Sequence, residues 1–86
     1  MFFVYIIYSD KIDKFYIGYS ANVNDRLVKH NQKSYGFSNT GKPWRLVYSE
    51  SYLTKKEAML REKQLKDWKN RERIEKLIKD GSEHPD

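Results

Sequence analysis

The chain has no cysteine, which excludes disulfide scaffolds, thiol nucleophiles and thiolate zinc sites. Packing alone must hold the fold, which suits a reducing compartment. Proline and glycine are scarce, two and four in 86 residues, and neither an internal repeat nor an interdomain linker is visible. Long apolar runs are missing too. The longest, Met1 to Tyr8, falls far short of the roughly 20 residues a membrane-spanning helix needs. It lacks the basic lead and small-residue cleavage site of a signal peptide. The sequence is therefore expected to be cytoplasmic and away from membranes. A length of 86 residues leaves no room for a second domain, so one domain over residues 1–80 is expected, with a frayed tail at 81–86.

Acidic residues are outnumbered, twelve against seventeen Lys and Arg, for a net charge of +5. Ten of the seventeen basic side chains fall within residues 54–79. A cationic segment of this kind attracts polyanions through counterion release, which makes nucleic acid the leading partner. Charge alone is equally compatible with a merely soluble Lys-rich helix.

Periodicity supplies the elements. Phe2 to Tyr8 and Phe15 to Tyr19 are aromatic and β-branched, which predicts two strands joined as a hairpin. Asn22 offers N-cap chemistry for a helix to about Asn31, carried by Val23, Leu27 and Val28. Gln32 to Pro43 reads as a loop. Trp44 to Tyr52 reads as a third strand, with Trp44, Leu46 and Tyr48 alternating against Arg45, Val47 and Ser49. Thr54-Lys55-Lys56-Glu57 is a capping-box pattern opening a helix to about Trp68. A last helix from Asn70 to Lys79 is expected to stop at Gly81. The expected fold is α+β, a small three-stranded and mainly antiparallel sheet in β-β-α-β-α-α order, flanked by helices.

Several residues sit awkwardly in a purely structural account. If the hairpin loop covers Asp10 to Asp13, Tyr5 faces Gly18, and Tyr16 shares that sheet face, so two phenols stand beside a glycine that leaves the surface open. Half-buried strand tyrosines are common, which is the plainer account of either one. Arg26 and His30 lie four apart and project from one side of their helix. Such a histidine is more often structural, whereas an arginine fork suits phosphate oxygens. Glu62 falls on the stripe Ala58, Glu62, Leu65 that should face the core, where a carboxylate needs a compensating partner. Arg61, Arg26 or a divalent metal would serve, and periodicity alone favours the salt bridge.

Taken together and in order, these positions resemble the GIY-YIG nuclease domain, found in UvrC-type excinucleases, some homing and restriction endonucleases, and many stand-alone proteins. The first motif half is degenerate, Phe3-Val4-Tyr5, and the second intact, Tyr16-Ile17-Gly18; Arg26, His30 and the Glu62 helix follow at compatible spacing. The resemblance implies a metal-dependent endonuclease that hydrolyses phosphodiester bonds. Tyr5 and Tyr16 would be the motif tyrosines, Arg26 the phosphate clamp, His30 an auxiliary residue and Glu62 the ligand of one Mg²⁺ or Mn²⁺. DNA is the expected substrate ahead of RNA, cleaved by structure in repair or recombination, with a protein partner for targeting. A non-catalytic nucleic-acid-binding module on the same fold is the alternative. Two departures stand out: Tyr19 occupies a position where some members carry lysine or threonine, and Asn70 is the nearest counterpart of an asparagine some nucleases use. Lys55, Lys56, Lys63, Lys66, Lys69, Arg71 and Arg73 are expected to contact phosphates. Tyr35, Phe37 or Trp68 would stack on a splayed base, although Trp44 and Trp68 suit a core better.

Overall fold

The structure is a computed structural model that describes residues 1–32 and 40–82. Tyr35 and Phe37, most of the expected 32–43 loop and tail residues 83–86 lie outside the described residues. The elements run β1 (Phe2–Ser9), β2 (Lys14–Ser20), α1 (Val23–Asn31), β3 (Trp44–Tyr52), α2 (Lys55–Trp68) and α3 (Arg71–Ser82), in the expected order. Among the described residues no helix is long and apolar enough to cross a membrane.

The three strands form an antiparallel sheet in the order β2-β1-β3. Apolar on both of its faces, β1 takes the centre, where Val4, Ile6 and Ile7 are wholly buried. Full burial of an aliphatic side chain contributes about 1.5–3 kcal/mol, so this strand anchors both layers. On one face Val4 packs with Ala58 and Leu65 of α2, ringed by Ile17, Tyr19, Tyr52, Trp68 and Leu77. On the other, Tyr5, Ile7 and Trp44 pack with Tyr16 and with Val23 and Leu27 of α1.

Local chemistry sets the helix starts. The Asn22 side chain accepts the Asp25 N–H at 3.1 Å, capping α1. Thr54 and Glu57 form the capping box of α2, a device whose loss typically costs ~1 kcal/mol. At its other end α1 is tied to β3 by Asn31, whose side chain donates to Trp44 C=O at 2.9 Å and accepts Trp44 N–H at 2.5 Å.

Two expectations are corrected. The strand alternation breaks at a bulge: Ile6 pairs with Tyr48 but Ile7 with Leu46, leaving Val47 as the extra residue. An inserted residue switches which face the following side chains occupy. Trp44 therefore lies with Tyr5 and Ile7, while Tyr52 lies with Val4. Nor does Gly81 stop the last helix, which runs through it to Ser82. A Cβ at Gly81 would stand 2.5 Å from the Tyr48 ring. The glycine is there for close helix–sheet contact and not as a terminator, and residues 81–82 are helix instead of tail.

Candidate active site

The hairpin register pairs Tyr5 with Gly18 and Ile7 with Tyr16, so both phenols lie on the α1 face as the loop assignment required. The space over Gly18 is not open. A Cβ there would fall 2.5 Å from the Tyr5 hydroxyl and 2.6 Å from its ring, so the missing side chain is what lets the phenol lie across β2. Gly18→Ala should displace Tyr5. Overpacking of this kind typically costs about 1–3 kcal/mol, so the thermal melt of the variant should fall by several degrees.

From α1, His30 reaches the same point. The Tyr5 hydroxyl lies 3.2 Å from His30 Nε2, and the His30 ring meets Tyr16 edge-on with centroids 4.7 Å apart. Burial, aided by the nearby Arg26 charge, pushes the imidazole below its ordinary value, so it is neutral at pH 7. Burial also raises the Tyr5 phenol to about 12, with Tyr16 and Glu62 adding to the rise and Arg26 opposing it. Tyr5 is then ionised in only about one molecule in 10⁵ at pH 7. A neutral phenol donating to a neutral imidazole is the arrangement both shifts favour.

Glu62 arrives from α2. Its neighbour Arg61 donates to Glu50 on β3 from Nε at 2.9 Å and Nη2 at 3.1 Å, and the Tyr48 and Tyr52 hydroxyls complete the shell around that carboxylate. These bonds hold the Glu50 carboxyl below its ordinary value although burial acts the other way. They also fix the roll of α2. One residue further is about 100° around a helix, and Glu62 shares a cleft with Gly18, Tyr19 and Ser20 of β2. The expected pairing of Glu62 with Arg61 or Arg26 is corrected: its ion pair is with Lys66, one turn on, at 3.4 Å.

A cleft of about 340 Å³ gathers Tyr5, Tyr16, Arg26, His30 and Glu62, with Phe2, Gly18, Tyr19, Ser20, Ala21 and Lys55 completing its walls. Lys55 is the wall residue that sequence reasoning placed only among general phosphate contacts. Its spacing of seven from Glu62, two helical turns, was the available signal. Arg26 is exposed and makes no ion pair among the described residues. Asn70 is absent from the walls; its side chain accepts the Arg73 N–H at the start of α3. Of the other basic candidates, Arg71 is paired with Asp13 and Glu75, and Arg73 lies 4.1 Å over the Trp68 ring.

Among the described residues no three His, Asp or Glu side chains cluster. One carboxylate beside phenolic oxygens is a poor zinc site but fits a hard cation that keeps most of its waters, so Glu62 can hold Mg²⁺ or Mn²⁺.

Comparison with known proteins gives a consistent picture. The GIY-YIG catalytic domain family matches residues 1–77. A UPF0213 protein of Staphylococcus epidermidis is 38% identical over 80 residues, covering 92% of this chain and 95% of the relative. A UPF0213 protein of Staphylococcus aureus is 37% identical over 79 residues, covering 91% and 94%. No solved structure matches the chain.

Proposed function

The chain belongs to the GIY-YIG family, a family of nucleases, and from that premise we propose that it is a divalent-metal-dependent endonuclease acting on nucleic acid, DNA ahead of RNA. One observation carries the reading: two phenols, an imidazole, a guanidinium and a carboxylate from four different elements line a single cleft. A purely structural role for each would not require them to meet.

The chemistry divides among them. Hydrolysis needs an oriented water, neutralisation of charge building on the phosphoryl oxygens, and relief for the departing oxyanion. The Arg26 fork, extending from α1 without an ion-pair partner among the described residues, would clamp the nonbridging oxygens. A water hydrogen-bonded to the Tyr5 oxygen attacks phosphorus as its proton passes to Tyr5 and the Tyr5 proton passes to His30 Nε2. The P–O bond opposite the water breaks, and solvent protonates the leaving oxygen. Tyr16, packed edge-on to His30, positions the imidazole. Glu62 would hold the Mg²⁺ or Mn²⁺, which supplies Lewis-acid stabilisation of phosphoryl charge. Lys55, on the cleft wall, would meet the adjoining phosphate.

The relay predicts the pH profile. His30 accepts a proton only when neutral, and its pKa lies below the ordinary value. The cleavage rate should therefore be flat through neutral pH and fall only at a pH below the ordinary histidine range. His30→Ala should remove that acid limb and lower the plateau about 10²-fold. A limb unchanged in the variant would transfer the role elsewhere.

The deciding experiment incubates purified protein with branched, flapped, nicked and single-stranded DNA and RNA, with Mn²⁺, Mg²⁺ or chelator. Metal-dependent products support the reading. Salt-sensitive binding without products would support a non-catalytic binding module instead.

A further inference from the structure

A second depression adjoins the cleft, with Tyr16 common to both walls. It is a groove of about 520 Å³ between β2 and the junction of α2 with α3. Ile17, Leu65 and Ile74 contribute to its apolar lining, and Phe15 stands beside Tyr16 on the β2 side. Lys14 borders it from β2, and Lys69, at the end of α2, borders it from the other side.

The cations here are not equivalent. Arg71 is held by Asp13 at 2.5 Å and by Glu75 at 2.9 Å, so its charge is answered within the protein. Lys66 rests on Glu62. Lys14 and Lys69 make no ion pair among the described residues, and both are exposed. Lys14, whose charge also acts on the neighbouring Asp13, and Lys69 thus border an apolar recess that shares the Tyr16 wall with the cleft.

This chemistry selects its occupant. A duplex hides its base faces in the stack and presents phosphates, for which an apolar recess offers nothing. An unpaired strand exposes base faces and phosphates together, and cationic borders beside aromatic and apolar side chains hold both. We propose that the groove holds an unpaired segment of nucleic acid flanking the scissile phosphate, its phosphates on Lys14 and Lys69 and its bases against the apolar lining. The proposal deepens the nuclease reading of the adjoining cleft, on which it rests for the position of that phosphate. The preferred substrate is then one with a single-stranded arm at the cut.

The test is binding of fluorescent deoxyoligonucleotides to the full chain in chelator, where no metal-dependent cleavage intervenes. A blunt duplex is compared with the same duplex bearing a single-stranded tail, and with one whose tail is abasic. The tailed duplex should bind about tenfold more tightly than the blunt one, the yield of one modest base-stacking contact. The abasic tail should lose most of that gain. Lys14→Gln with Lys69→Gln should reduce the preference and lower the log–log salt slope on the tailed probe by about 1.4, the share of two single-strand phosphate contacts. Lys79→Gln, on α3 away from the groove, should retain the preference. Equal affinity for blunt and tailed probes, an abasic tail bound as tightly as a normal one, or a preference intact in the double variant would each overturn the proposal. The two readings fail separately. Tail preference without metal-dependent cleavage sinks catalysis alone, and cleavage without tail preference sinks the groove alone.

Discussion

Glu62→Gln should reduce metal-dependent cleavage by about 10³-fold or more, because Lewis-acid stabilisation of phosphoryl charge is worth several kcal/mol and each 1.36 kcal/mol is tenfold in rate. Glutamine keeps the shape and helix propensity but not the charge that holds a hard cation. Stability should hardly change. The one ion pair lost is that with Lys66, whose side chain is half exposed, and exposed i,i+4 pairs contribute only about 0.3–0.5 kcal/mol. Single-turnover kinetics beside a thermal melt make the check. Wild-type cleavage by the variant would remove Glu62 from the metal site, whereas lost cleavage with a collapsed melting transition would point to a folding defect instead.

Arg26→Ala should cost about as much, 10²–10³-fold in kcat, the scale of losing one transition-state donor. The residue is exposed and has no ion-pair partner among the described residues, so its loss should not unfold the chain. Arg26→Lys should recover part of the rate, since it restores the charge without the planar fork that grips two oxygens. A second readout separates catalysis from mere structure. The Arg26 charge helps to keep the His30 pKa low; removing it lets that value rise, so the acid limb should move to higher pH in the alanine variant and stay in place in the lysine variant. A limb that stays put in both would break the electrostatic link between the two residues.

Much of this site was legible because it depends on short-range geometry. Side chains alternate along a strand, so a four-residue hairpin loop was enough to bring Tyr5, Gly18 and Tyr16 to one face. Helical spacing was enough to align Arg26 with His30, and Glu62 with Ala58 and Leu65. The Thr54 box located the start of α2 to the residue.

Other features were out of reach for definite reasons. The Val47 bulge leaves the local pattern of apolar and polar residues intact, because a one-residue insertion is visible only against the partner strand. Gly81 looks like a terminator when its neighbours along the chain are considered, and its real neighbour is Tyr48, far away in sequence. Arg61 was one of three candidate partners for Glu62, and only the placement of β3 beside α2 gave it to Glu50.

The sequence by itself determined the order of strands and helices and their extents up to the end of α3, the hairpin register and the family resemblance, because each follows from repeats of 2 or 3.6 residues and from caps a few residues long. Tertiary structure alone decided that Tyr5 fills the space over Gly18, that Arg61 goes to Glu50 while Glu62 joins the cleft beside β2, and that burial pushes the His30 imidazole below its ordinary value. Those outcomes rest on burial and on charges brought together from distant parts of the chain, and no local spacing encodes either.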